Sequence, residues 1–145
     1  MMMREEIPYG FEIEKVTAFR NHFVISDLDE NEILSANKTS FWGNSWNIFR
    51  KGEKIASFFS TGSACNTEYK IRTEISKYIV SRIKFTNYSV YDSLGKEVVS
   101  LVRNGWGFSI RYIVEVNNEF EPLIALGVAL ILITITQQQT AVATM

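Results

Sequence analysis

The chain has 145 residues, enough for one domain with one hydrophobic core. Its 15 basic and 16 acidic side chains nearly cancel, which removes the electrostatic footprint of a nucleic-acid binder. Aromatics are plentiful and proline is scarce, so the composition is not that of a disordered chain. The one cysteine, Cys65, excludes an internal disulfide and a cysteine-cluster metal site.

Residues 1–8 read as a tail, and Met1 to Glu6 lack the apolar stretch of a secretory signal. A cytoplasmic protein is therefore expected. Tyr9 to Ala18 fits a helical or a strand period equally well. From Phe19 the pattern is short strands and turns, and the core is expected over about 19–136. Phe23-Val24-Ile25 leads into the polar cluster Asp27 to Glu32, and Ile33 to Asn37 resumes the apolar pattern. Trp46-Asn47-Ile48-Phe49 alternates up to a Lys51-Gly52-Glu53 turn, and Ile55 to Phe59 returns. Tyr69 to Arg72 alternates again. Phe85 to Tyr91, a turn at Asp92-Ser93-Leu94-Gly95, and Val98 to Val102 form a hairpin in which Gly95 supplies positive φ. Phe108 to Val116 is the longest strand candidate.

Pro122 to Thr136 is apolar on every side of a helix. A helix with no polar face must be enclosed by lipid or by protein. From Leu123 to Thr136 it would measure about 20 Å, short of the roughly 30 Å of a bilayer core. Glu119 and Glu121 precede it and Gln137 to Gln139 follow it, so no basic flank orients it in a membrane. Pro122 suits the first helical position. A strand is the competing reading, because the run is rich in β-branched residues, but it is too long for one. The expectation is a helix enclosed by protein, with a tail anchor as the alternative and residues 137–145 as a polar tail.

The chain echoes itself. Phe23 to Phe49 lies over Tyr88 to Val114 at constant offset, with Asp27 on Asp92, Glu32 on Glu97, Ser35 on Ser100 and Ile48 on Ile113. Trp42-Gly43 falls one residue out of step with Trp106-Gly107, a pairing suited to tight corners. Repeated meanders without intervening helices favour an antiparallel sheet, and a large one hides its edges best by closing. The expected fold is mainly β: an antiparallel β-barrel of meander repeats enclosing a C-terminal apolar α-helix.

These features resemble the tubby C-terminal-like superfamily, which includes the LURF-one-related proteins and the phospholipid scramblases. The resemblance is carried by the repeated units, by Asp92 to Val99, by the Trp106-Gly107 corner, by Arg111 to Val116 and by the closing Pro122 to Leu130. It covers roughly Phe19 to Thr136 and implies a single domain with the helix threaded through a closed barrel. It also implies a non-enzymatic binding module that associates with a membrane surface or an anionic lipid. The rival is a tail-anchored membrane protein with a cytosolic β domain. The resemblance transfers no site residue, and it leaves any protein partner unknown.

The residues themselves offer little chemistry. His22 is the only histidine and stands beside a strand without a catalytic motif, so it reads as structural. Cys65 has no basic neighbour in sequence to activate it. Asp27 to Asn31 imitates the start of a calcium loop, but Glu32 and Lys38 occupy the positions that require Gly and Glu. Gly105-Trp106-Gly107 lacks the third glycine of a dinucleotide fingerprint, since Ile110 stands there. No cofactor or metal is expected. Arg50, Lys51 and Lys54 surround one turn and are the candidate anionic-lipid contacts. Lys70, Arg72, Lys77, Arg82 and Lys84 form a looser basic group. For both groups the competing reading is ordinary solvated charge, balanced by Glu68 and Glu74.

Overall fold

The computed structural model describes residues 9–14, 21–27, 29–39, 44–61, 68–84, 87–105 and 111–143, with side chains for 21–27, 29–39, 44–61, 68–83, 87–105 and 111–138. Cys65, both Trp-Gly corners, Phe85 and Phe108 to Ile110 lie outside the described residues. The strands are β1 (Tyr9–Glu14), β2 (His22–Ser26), β3 (Glu32–Lys38), β4 (Trp46–Arg50), β5 (Glu53–Thr61), β6 (Glu68–Thr73), β7 (Lys77–Lys84), β8 (Asn87–Tyr91), β9 (Glu97–Asn104) and β10 (Arg111–Val116). One helix, α1 (Pro122–Ala143), follows them.

Every strand pair is antiparallel, and the sheet runs β1-β10-β9-β8-β7-β6-β5-β4-β3-β2. From β2 to β10 it is a meander, and β1 returns to the far side of β10. That topology forces a bend. Laid flat, ten strands at about 4.8 Å spacing would hold β1 and β2 roughly 43 Å apart. Yet β1 leads to β2 through a connection from Glu14 to His22, whose covalent reach is about 26–29 Å. The sheet therefore curls. The helix shows the same thing, because α1 approaches β3, β4 and β5 from one half of the sheet and β10 from the other.

Side chains alternate across the sheet as the pleat requires. Leu34 and Ala36, Trp46 and Ile48, Ala56 and Phe58, Tyr69 and Ile71, Tyr88 and Val90, and Val114 and Val116 all point inward and are buried. On α1 every residue from Gly127 to Thr136 is buried. Consecutive burial over nearly three turns covers the whole circumference, so the helix is surrounded by protein. Its apolar surface is spent on the sheet. Pro122 starts the helix as its fixed φ allows. The helix does not stop at Thr136: Gln137 to Gln139 continue it to Ala143, for 22 residues in all. The N-terminal limit of the expected core also moves, since Tyr9–Glu14 is a strand paired with β10.

Gly127 lets α1 lie close to the wall. A Cβ there would stand 3.0 Å from Leu34 Cδ2 and 3.5 Å from Ile48 Cδ1. The two buried threonines on the helix are satisfied locally. Thr134 Oγ1 donates to Leu130 O at 2.8 Å and Thr136 Oγ1 to Leu132 O at 2.9 Å. Thr136 Oγ1 also accepts from Tyr88 Oη at 2.9 Å, and Tyr88 Oη accepts from Arg82 Nη2 at 2.7 Å. One directional chain of hydrogen bonds thus joins β7, β8 and the helix backbone.

The internal echo is present in three dimensions. At the same offset β2 overlies β8, β3 overlies β9 and β4 overlies β10. The bulge between Ile25 and Ser26 falls on the one between Val90 and Tyr91. In both turns one carboxylate oxygen accepts two backbone N–H groups: Asp27 from Asp29 and Asn31, Asp92 from Leu94 and Lys96, each at 2.9 Å. The left-handed position is Glu30 in one copy and Gly95 in the other.

Candidate functional site

Antiparallel register places four turns at the end of the sheet where α1 begins: β2–β3, β4–β5, β6–β7 and β8–β9. The link Asn117 to Glu121 enters the molecule there. Asn117 N–H donates to Val98 O at 2.8 Å, and Asn117 Oδ1 accepts from Glu119 N–H at 3.0 Å. Phe120 is buried and meets the Tyr78 ring edge-on, with centroids 4.9 Å apart. That aromatic contact pins the entry of the helix against β7.

Beside this contact a groove of about 290 Å³ opens between the β4–β5 and β6–β7 hairpins and the helix entry. Tyr78, Phe120, Ile55 and Ile124 supply its apolar lining. Arg50, Lys54, Glu53, Glu74, Glu119 and Glu121 supply charges of both signs. Arg50 Nη2 pairs with Glu121 Oε1 at 3.0 Å, and Lys96 Nζ pairs with Glu119 Oε2 at 3.5 Å. Arg50 Nε is shielded from solvent and has no hydrogen-bond partner among the described residues. Glu53, Glu74 and Lys54 form no ion pair among the described residues.

The same end carries two unusual tips. Ile75 in the β6–β7 turn is 91% exposed and Leu94 in the β8–β9 turn is 92% exposed. Both lie in turns, where small and polar residues dominate, and both are far more exposed than the other exposed apolar residues described. Lys77 and Lys96 follow these two residues in sequence, and both are exposed.

Of the basic trio expected at one turn, Arg50 and Lys54 come together in the groove. Lys51 sits apart at the β4–β5 tip, where it and Gly52 both take positive φ (51° and 80°), as a two-residue hairpin of this type demands. The trio is not a free cationic patch, because Arg50 is already paired and carboxylates interleave with the rest. The looser basic group is divided between faces. Arg72 lies on the outer side over the Phe59 ring at 5.5 Å, whereas Arg82 reaches Tyr88 from the inner side. The Lys84 side chain lies outside the described residues.

His22 is exposed, and its Nδ1–H donates to Asn37 Oδ1. Asp27 spends its carboxylate on its own turn, and the backbone donor of Asn31 is the main cause that holds its pKa below the ordinary value. Near the other end of the sheet, burial raises the Tyr112 pKa above the usual phenol value. Among the described residues no three His, Cys, Asp or Glu side chains converge as metal ligands would, and no helix is long and apolar enough to cross a membrane.

Sequence reasoning missed the tips. The signal available was an aliphatic residue set inside a turn, as in Glu74-Ile75-Ser76 and Ser93-Leu94-Gly95. Comparison of the chain with family models, with curated proteins and with solved structures returned no match.

Proposed function

We propose that this chain is a non-enzymatic binding module of the tubby-like kind, cytoplasmic and peripheral, that docks on a membrane surface with its helix-entry end. The tubby-like reading draws support from the duplicated meander and from the helix buried on all sides. In this reading β1 and β2 close the curled sheet into a barrel. They run in opposite directions, and a short connection joins them.

The observation that carries membrane docking is the pair of aliphatic tips, Ile75 and Leu94, presented to solvent at one end. Withdrawing an aliphatic side chain of this size from water is worth about 1.5–3 kcal/mol. Two of them give weak, reversible attachment. Lys51, Lys54, Lys77 and Lys96 lie in or beside the β4–β5, β6–β7 and β8–β9 turns at the same end. Near an anionic surface each unpaired lysine would contribute roughly 1 kcal/mol, offset by Glu53 and Glu74, while Lys96 is already held by Glu119. Anionic lipid should therefore help only modestly. The tail-anchor alternative is less well supported, because an anchor needs for lipid the same apolar surface that α1 places against the sheet.

Vesicle co-sedimentation tests the proposal. The wild-type chain should be retained on phosphocholine vesicles, and slightly better when anionic lipid is added. Ile75→Asp together with Leu94→Asp should abolish retention while leaving the melting temperature unchanged. Equal retention of the double variant would remove the docking surface.

A further inference from the structure

We propose that the groove at the helix entry holds a zwitterionic phosphate–ammonium group, the chemistry of a phosphocholine headgroup. The inference rests on the membrane-docking reading and names the headgroup that the docked end would select. The groove presents both signs of charge a few residues apart, and each sign has capacity left over. On the cationic side, Lys54 is exposed and has no ion pair among the described residues. On the anionic side, Glu53 and Glu74 are also free of ion pairs among the described residues.

Part of the lining is aromatic. Tyr78 and Phe120 hold each other edge-on, so the pair keeps its shape without a ligand. An aromatic face beside carboxylates forms the setting in which a quaternary ammonium is bound without being stripped of compensating charge. A purely anionic ligand would meet Glu53 and Glu74, and a purely cationic one would meet Lys54 and Arg50. A ligand carrying both charges satisfies Lys54 together with Glu53 and Glu74. A volume of about 290 Å³ lies at the small end of ordinary ligand sites and accommodates a headgroup rather than a whole lipid. Ile75 lines the same groove and is the exposed tip of the neighbouring hairpin. A lipid whose headgroup sat here would have its chains beside an aliphatic side chain already placed for the membrane.

Calorimetric titration of the full chain with soluble phosphocholine is the direct test. Tetramethylammonium and inorganic phosphate, tested separately, should bind about tenfold more weakly or less, because each uses half the site. Glu74→Gln and Lys54→Met should each weaken phosphocholine binding about fivefold to tenfold. Glu30→Gln, on a different turn, should have no effect. Soluble phosphocholine binding without vesicle retention would uphold the headgroup site and overturn the docking. Vesicle retention that survives Glu74→Gln plus Lys54→Met, with no calorimetric response to phosphocholine, would overturn the site and leave the docking intact. Binding of a lysine-rich peptide that Glu74→Gln abolishes, with none of phosphocholine, would also overturn the proposal and assign the groove to protein.

Discussion

Gly127 offers the sharpest test of how α1 sits within the sheet. Replacement by alanine gains about 1 kcal/mol of helix propensity. It also puts a methyl carbon 3.0 Å from Leu34 Cδ2, well inside the 3.5–4.0 Å optimum for carbon pairs. Leu34 is fully buried and has little room to retreat. The two effects nearly cancel, so Gly127→Ala should lie within about 1 kcal/mol of wild type. Gly127→Val adds two more methyl groups where Ile48 Cδ1 and Cγ2 already stand 3.5 and 3.6 Å from the first. Overpacking and the β-branched penalty together should destabilise by about 2–4 kcal/mol. At roughly 3 °C per kcal/mol for a chain of this size, the melting temperature would fall by about 6–12 °C. Leu34→Ala alone should cost about 2–5 kcal/mol by leaving a cavity. The double variant should be less damaged than the sum by about 1–2 kcal/mol, since the cavity accepts the valine. Urea unfolding followed by tryptophan fluorescence measures all four corners of this cycle. Strict additivity, or a Gly127→Val chain as stable as wild type, would refute the packing of α1 against β3 and β4.

The other expectations use the same assay. Tyr88→Phe breaks the middle of the Arg82–Tyr88–Thr136 chain and should cost about 1–2 kcal/mol, with little change at the surface. Glu30→Gly should stabilise by about 0.5–1 kcal/mol, because the equivalent position in the second copy is Gly95 and both have positive φ; a loss of stability would show that the two turns are not equivalent. The Asp27 pKa is lowered in the folded chain, so its contribution is complete above the ordinary carboxylate value and is lost as pH falls through the lowered one. Stability measured from pH 6 downward should therefore fall less steeply in Asp27→Asn than in wild type. Removal of the chain from Leu123 onward should leave no cooperative unfolding transition and should produce strong binding of a hydrophobic dye, whereas a folded, soluble remainder would show that α1 is dispensable.

Much of the fold was legible because the strands that bury one face alternate cleanly. Trp46 to Phe49 and Arg111 to Val116 are of this kind, and glycine marked the turns at Gly52 and Gly95. β7 was not legible. Ile79 and Ile83 face outward while Val80 faces inward, so apolar residues occupy both faces and the period vanishes. The end of α1 was missed because Gln137 to Gln139 looked like a tail, yet a helix already nucleated and enclosed propagates through polar residues at little cost. The groove was only half visible. Arg50 and Lys54 stood out as charges, but the pairing of Arg50 with Glu121 joins residues far apart in the sequence and depends on where the helix begins. No local pattern encodes such a partnership.

The order of synthesis gives the buried helix a cellular consequence. In the nascent chain all ten strands leave the ribosome before the element that fills them. At about 5–20 residues per second, β1 waits roughly 5–20 s for β10, and α1 comes later still. Through that interval the inner rows of leucine, isoleucine and aromatic side chains have no permanent cover. A translational pause between Val116 and Pro122 would prolong the exposure and hand the chain to chaperones or proteases. A synonymous codon change over this short link, which alters no residue, should therefore change how much protein the cell obtains.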